Sequence, residues 1–213
     1  MRVETIQKPV VHIIDDDISM REALAGLFDS VGLQTETYST ANDFLYAKPI
    51  GQPGCIVLDV RLPDMNGLEF QNRLTQIGIG IPVVMMTGFG DITMSVKAMK
   101  LGAVDFLSKP FRDQDMLDAV LAAIERDRQR RAIDDNVSQI RKRFDTLTRR
   151  EQEVMSHVAA GRMNKQVAGD LGISEITVKI HRGAAMHKMG ARTYAELVRM
   201  ADALNLDRNK IGG

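Results

Sequence analysis

The chain has 213 residues, 44% of them hydrophobic and 26% charged, ordinary for a soluble globular protein of one large domain or two small ones. Cys55 is the only cysteine, which excludes an internal disulfide and suits a reducing cytosol; the opening MRVETIQKPVV lacks a signal-peptide core, and no window approaches the roughly 18 apolar residues of a membrane span. The formal net charge of +0 divides unevenly: residues 1–124 hold ten Lys and Arg against sixteen Asp and Glu, residues 125–213 eighteen against twelve. An acidic half that could hold a cation precedes a basic half that could meet phosphate.

Val10 to Ile14 reads as a buried strand running into Asp15-Asp16-Asp17. Ser19 offers an N-cap, Ala23, Leu24, Leu27, Phe28 and Val31 follow at helical spacing, and Gly32 stops the helix. Thr35 to Tyr38 is a short strand, and Thr40 caps a second helix. Ile56 to Leu58 is a third strand that ends in Asp59, with turn chemistry from Pro63, Asp64, Asn66 and Gly67. Leu68, Phe70, Leu74 and Ile77 predict a third helix, and Pro82 to Met86 a fourth strand ending at Thr87-Gly88. Asp91 caps a fourth helix, Ala103 to Leu107 is a fifth strand, and Asp113 caps a helix through Leu117, Val120, Leu121 and Ile124. Strand and helix alternate five times, which predicts a doubly wound α/β domain with a five-stranded parallel sheet.

In such a sheet the C-terminal strand ends share one edge, so Asp15, Asp16, Asp59, Thr87 and Lys109 are predicted to converge. Crowded carboxylates raise one another's pKa unless a cation offsets them. Hard oxygen ligands without Cys or clustered His favour Mg²⁺ or Mn²⁺. With Lys109 to neutralise a phosphoryl oxygen and Thr87 as a hydroxyl donor, the set suits phosphoryl transfer with Asp59 as nucleophile. No Gly-rich phosphate loop follows any strand, which argues against a nucleotide site. His12, on the strand before the acidic run, reads as packing.

At these residues, Asp15-Asp16, Asp59 with LPDMNG, Thr87-Gly88, Phe106 and Lys109-Pro110-Phe111, the sequence over about 9–125 resembles the receiver domain of two-component response regulators. The resemblance implies a (βα)₅ fold and transfer of a phosphoryl group to Asp59 from a sensor histidine kinase. It implies Mg²⁺ held by Asp15, Asp16, Asp59 and the backbone carbonyl of Arg61. Thr87 and Phe106 would be the switch pair, and the Lys109–Pro110 bond is expected to be cis.

Residues 125–144 read as a helical linker. Glu125 to Arg131 is almost wholly charged, and Ile133, Val137, Ile140, Phe144 and Leu147 then recur at spacings of four and three. Either a dimerising, signal-carrying coil or a helical spacer laid on one domain fits this pattern. From 145 onward the chain is all helical. Leu147-Thr148-Arg149-Arg150-Glu151 holds a capping box, Asn164 caps a short helix, and Gly172-Ile173-Ser174 is a tight turn before a helix from Glu175 to Met189. Thr193 to Glu196 is a second capping box that opens a further helix. Two helices across a Gly-containing turn make a helix-turn-helix. On its second helix Val178, Ala185 and Met189 sit at core spacing with His181 beside them, while Thr177, Lys179, Ile180, Arg182 and Met186 point outward. Lys179 and Ile180 are the candidates for base edges, and Arg182, Asn164 and Lys165 for phosphates.

The tract from Leu147 to Val198 is similar to the LuxR/NarL-type DNA-binding domain, and Gly183 departs from the longer side chain common there. As an interior helix glycine it costs ~1 kcal/mol of propensity. Together with Thr-Gly-Phe-Gly-Asp, the pairing resembles the FixJ-like branch of response regulators. The domains read as 1–124 receiver, 125–144 linker and 145–213 helix-turn-helix. The function implied is a cytoplasmic, phosphorylation-controlled transcription factor that is not an enzyme. It would meet double-stranded promoter DNA, dimerise when phosphorylated, and have RNA polymerase as a candidate partner but no membrane. Two rivals stand beside it. One is an Asp-nucleophile phosphatase of the haloacid-dehalogenase type, which needs an Asp two residues after Asp59 where this chain has Arg61. The other is a constitutive DNA-binding dimer with a vestigial receiver.

Overall fold

The computed structural model describes residues 8–47, 51–88 and 92–206, and it divides into two compact units, 1–131 and 132–213. In the first unit five strands, β1 (Val10–Ile14), β2 (Gln34–Tyr38), β3 (Gly54–Asp59), β4 (Val83–Thr87) and β5 (Asp105–Ser108), form a sheet of order β2-β1-β3-β4-β5. Every pairing is parallel. Its helices are α1 (Ile18–Ser30), α2 (Ala41–Ala47), α3 (Gly67–Gln76), α4 (Ile92–Lys100) and the start of α5 (Asp113–Phe144).

Alternation along the strands divides the core in two. Val11, Ile13, Cys55, Val57, Val84 and Met86 face one way and pack with Leu24 and Phe28 of α1 and Met116, Val120 and Ile124 of α5. Ile14, Ile56, Leu58, Val83 and Met85 face the other way, against Phe44 of α2, Phe70 and Leu74 of α3 and Ala98 of α4. Both faces are covered, which is why the central strands are apolar without a polar alternation. His12 joins the second face, edge-on to Phe44 at a centroid distance of 5.4 Å, and is a packed residue as expected.

Several caps differ from expectation. Asp17, not Ser19, caps α1: its carboxylate accepts from the Ser19 N–H at 2.8 Å. Thr40 does bond the Asp43 N–H at 3.1 Å, but the remote Asp64 also receives the first N–H groups of α2, from Ala41 at 3.3 Å and Asn42 at 3.0 Å. Asp113 is the first residue of α5 rather than its cap, and the proposed cap Asp91 lies outside the described residues. Ile77, placed just past α3, and Leu121 of α5 are exposed; the buried face of α5 is Met116, Ala119, Val120, Ala123 and Ile124.

The linker region is helical throughout, since α5 runs unbroken from Asp113 to Phe144. Its first part, the charged run from Glu125 to Arg131, is mostly exposed but holds one buried charge. Asp127 is fully buried, and its carboxylate accepts from the Gly54 N–H at 3.1 Å, Arg130 Nη2 at 2.7 Å and Arg131 Nε at 2.6 Å. Ile133 of the expected apolar stripe is exposed, whereas Ile140, Phe144 and Leu147 are buried in the second unit.

That unit adds α6 (Arg149–Ala159), α7 (Asn164–Leu171), α8 (Glu175–Met189) and α9 (Tyr194–Ala203) around one apolar cluster. Thr148 and Glu151 form the capping box, and Lys188 Nζ lies 2.7 Å from the buried Glu151 carboxylate. Lys188 holds that carboxyl below the usual range. Asn164 begins α7 instead of capping it; the N-cap is Met163, whose N–H donates to Gln166 Oε1 at 2.9 Å. The second box is half made. Thr193 caps α9, but the Glu196 carboxylate takes the Arg192 N–H at 2.7 Å.

Candidate functional site

The strand order reverses between β1 and β3, and open α/β sheets place their ligands at such a switch point, beyond the carboxyl ends. β1 delivers Asp15 there and β3 delivers Asp59. β5 delivers Lys109, whose N–H also donates to the Thr87 carbonyl at the end of β4 at 2.7 Å. The Lys109 ammonium lies 2.7 Å from Asp15 Oδ2 and 3.1 Å from Asp59 Oδ1. Both carboxylates are buried, and Thr87 is wholly so. The remaining carboxylate oxygens accept backbone N–H groups, Asp15 Oδ1 from Asp17 at 2.8 Å and Asp59 Oδ2 from Arg61 at 3.0 Å.

Burial pushes the Asp59 carboxyl above the ordinary carboxylate range; Lys109 offsets this in part, and Asp15 adds to it. For Lys109 burial works against the charge, but the bonds to Asp15 and Asp59 outweigh it and the ammonium is held above its usual value. A charged lysine is therefore locked between two buried carboxylates, and burial makes Asp59 costly to ionise.

The structure brings together Asp15, Asp59, Lys109 and, through the backbone, Thr87. Asp16 is exposed, and among the described residues no group of three or more His, Cys, Asp or Glu side chains is gathered as a metal site. The donors that do meet are hard carboxylate oxygens, each with a second lone pair left after its one bond, and Mg²⁺ keeps several waters, so their chemistry fits that ion. Phe106 is half-buried on β5, against the α2–α3–α4 side of the core. The Lys109–Pro110 bond is cis, as the sequence reading expected.

Two supports were missed in the sequence. Arg21 Nη1 donates to the backbone carbonyls of Asp15 at 2.6 Å and Asp16 at 3.0 Å, fixing the acidic loop. Asp64 and Asn66 hold the loop after Asp59 by capping α2 and α3 from within it. Arg21 gave no signal beyond one arginine on a helix; Asp64 was visible only as turn chemistry.

In the second unit α8 presents Lys179 and Ile180 as exposed residues, with Thr177 partly so. Arg182 is half-buried and donates to Asn164 Oδ1 at 3.1 Å, which joins two predicted phosphate-contacting residues in one hydrogen bond. Met186 points inward against the apolar cluster, not outward, because the helix leans on α6 and α7 along a wider strip than three core positions.

Comparison with known proteins agrees at both ends of the chain. Residues 11–121 match the response regulator receiver domain, and residues 145–201 match the luxR family of bacterial regulatory proteins. The chain thus belongs to the response regulators that join a receiver to a LuxR-type DNA-binding domain, the transcriptional regulators of two-component systems. Within them it falls in the FixJ-like branch of the NarL/LuxR type. It is 52% identical over 206 residues to Nodulation protein W of Bradyrhizobium diazoefficiens, spanning 97% of this chain and 91% of that one. Among solved structures it resembles the response regulator StyR, at 46% identity and a TM-score of 0.78, covering 92% of this chain and 98% of that one. Full-length FixJ from B. japonicum is 37% identical with a TM-score of 0.57, covering 95% and 100%.

Proposed function

We propose that Asp59 is the residue that takes a phosphoryl group from a sensor histidine kinase. The observation that supports this most is the buried Asp59 carboxylate held 3.1 Å from Lys109 at the end of the central strand. An Asp59 oxygen attacks phosphorus, the bond from phosphorus to the imidazole nitrogen breaks, and an acyl phosphate results. Lys109 meets the charge that builds on the phosphoryl oxygens. Asp15, Asp16, Asp59 and the Arg61 carbonyl would hold Mg²⁺, which when bound neutralises phosphoryl charge. The receiver catalyses this transfer to its own Asp59, and on this reading the chain is not classed as an enzyme. The domains run 1–124 receiver, 125–144 linker and 145–213 helix-turn-helix.

Thr87 and Phe106 act as the switch. A phosphoryl group on Asp59 offers an acceptor to the Thr87 hydroxyl, Thr87 moves toward it, and the Phe106 ring takes the vacated space. The receiver then dimerises, and the dimer binds promoter DNA through Lys179 and Ile180 at base edges, with Arg182, Asn164 and Lys165 at phosphates and Thr177 also in the interface. RNA polymerase is a candidate partner at the promoter. Among the described residues no helix is long and apolar enough to cross a membrane, which suits a cytoplasmic regulator.

The test is mass spectrometry after incubation with Mg²⁺ and acetyl phosphate. The wild-type chain gains one phosphoryl group and Asp59→Asn gains none; equal labelling of the variant would overturn the assignment.

A further inference from the structure

The outer face of α8 is unusual for a helix that approaches an anionic polymer. Val178, Ala185 and Met189 are fully buried, and the positions opposite them on the helix are Ile176, Ile180, Gly183 and His187. Ile176 is 71% exposed and Ile180 64%, and Gly183 and His187 are exposed as well. The most outward ridge thus begins with two large apolar side chains one turn apart, followed one turn later by no side chain at all. Lys179 is exposed beside it.

Nothing within the domain explains this ridge. Ile176 and Ile180 belong to no buried cluster, and their exposure costs solubility. Gly183 lies in mid-helix, where glycine weakens the helix, yet a Cβ there would meet no atom within 4 Å. No positive φ is present at Gly183 to require glycine. The requirement therefore lies outside the chain, in what the ridge meets.

We infer that Ile176 and Ile180 form an apolar reading ridge for the C5-methyl groups of thymines in the major groove, and that Gly183 is a notch that lets the groove wall close onto it. This rests on the DNA-binding reading of the second unit. Two observations favour the major groove over another occupant. The half of the chain that carries the ridge is basic, with eighteen Lys and Arg against twelve Asp and Glu over residues 125–213. The ridge also sits on the first two turns of the helix that follows the turn, the part that reaches base edges. In that groove the thymine methyl is the one apolar mark, and an aliphatic side chain reads it. A glycine one turn further removes the side chain that would hold the helix off the bases.

The consequence is a site whose specificity depends on methyl groups more than on bidentate hydrogen bonds. The test uses the full-length chain treated with beryllofluoride. Its preferred site is selected from random duplex DNA, and each thymine in it is then replaced by deoxyuridine, which removes only the methyl. Fluorescence anisotropy is expected to find one or two positions per half-site where the replacement weakens binding about fourfold, the worth of one buried methyl group. Those positions become insensitive in Ile176→Ser or Ile180→Ser, whose exposed sites leave the fold intact. Gly183→Ala should melt higher than the wild-type chain yet bind the selected site more weakly. A site that binds tightly but shows a flat deoxyuridine scan, or a Gly183→Ala chain that binds as well as wild type, overturns the inference and leaves the DNA-binding reading standing. Failure to enrich any duplex overturns both.

Discussion

The geometry around Asp59 makes pH a direct probe of its carboxylate. Burial raises its pKa in the folded chain above the ordinary value of 3.8, so the folded state holds the proton more tightly than the unfolded chain does. The stabilising contribution is present below pH 3.8 and is lost as pH rises through the raised folded value. At neutral pH the ionised group therefore opposes folding, and Asp59→Asn should melt above the wild-type chain at pH 7. That gain should shrink as pH falls toward 3.8, and a thermal-melt series across that range checks it; a pH-independent difference would contradict burial as the cause. Phosphorylation by acetyl phosphate should fall on acidification for the same reason, beginning above the ordinary carboxylate range. Gly67 acts on the same atom group by sterics. A Cβ there would lie 2.8 Å from the Asp59 carbonyl oxygen and 2.9 Å from the Val60 Cα, both backbone atoms. Gly67→Ala must push the end of β3 away from α3. The expected result is a slower rate of phosphorylation with the fold retained, read by intact mass together with circular dichroism.

At the scale of elements, the strands were the most legible part because each is a short apolar run closed by a turn residue, and the site followed from their common edge. Asp15, Asp59 and Lys109 meet as that rule requires. What the sequence concealed were bonds between distant segments. Asp64 caps α2 from 23 residues away, which no local cap pattern encodes. Ser19 and Asn164 resembled caps because of residue type, but the chain enters α1 at Asp17 and α7 at Met163. Asp127 is the clearest case. Within Glu125 to Arg131 it reads as one more surface charge, yet it lies in the interior, accepting from the Gly54 N–H at the start of β3 with Arg130 and Arg131 around it. Asp127→Ala leaves the buried Gly54 N–H without its acceptor while the partly exposed Arg130 and Arg131 can turn to solvent, so it should cost about 1–3 kcal/mol of stability. Arg131→Ala should cost less, because the partly exposed guanidinium is replaced by water on Asp127 while Arg130 remains. Urea unfolding of the isolated segment 1–131 is not needed; the full chain with a probe of receiver unfolding gives the ordering, and equal losses would refute it.

At the scale of the molecule, the presence of two modules and their order were readable from charge and motif alone, and one family match falls on each half, at 11–121 and 145–201. The nature of the connection was not readable, since a charged run and a shifted apolar stripe fit either one helix or two. The structure has one, α5, whose first turns belong to the receiver core and whose last turns, with Ile140 and Phe144, belong to the DNA-binding core. The argument for a dimer is energetic. One small helix-turn-helix makes few base contacts, and linking two copies converts the second half-site into an intramolecular event, worth about 100-fold or more in apparent affinity. If phosphorylation acts through dimerisation, beryllofluoride should double the sedimenting mass and tighten operator binding by that order in the wild-type chain. Both effects should vanish together in Asp59→Asn, which lacks the carboxylate to which beryllofluoride adds. In Thr87→Ala the adduct still forms but the hydroxyl that follows it is gone, so dimerisation and the affinity gain should both be reduced while the mass gained on phosphorylation is unchanged. A monomer that binds its operator as tightly with the adduct as a dimer should, or a Thr87→Ala chain that dimerises normally, would remove the switch from the mechanism and leave Asp59 as an acceptor without a reader.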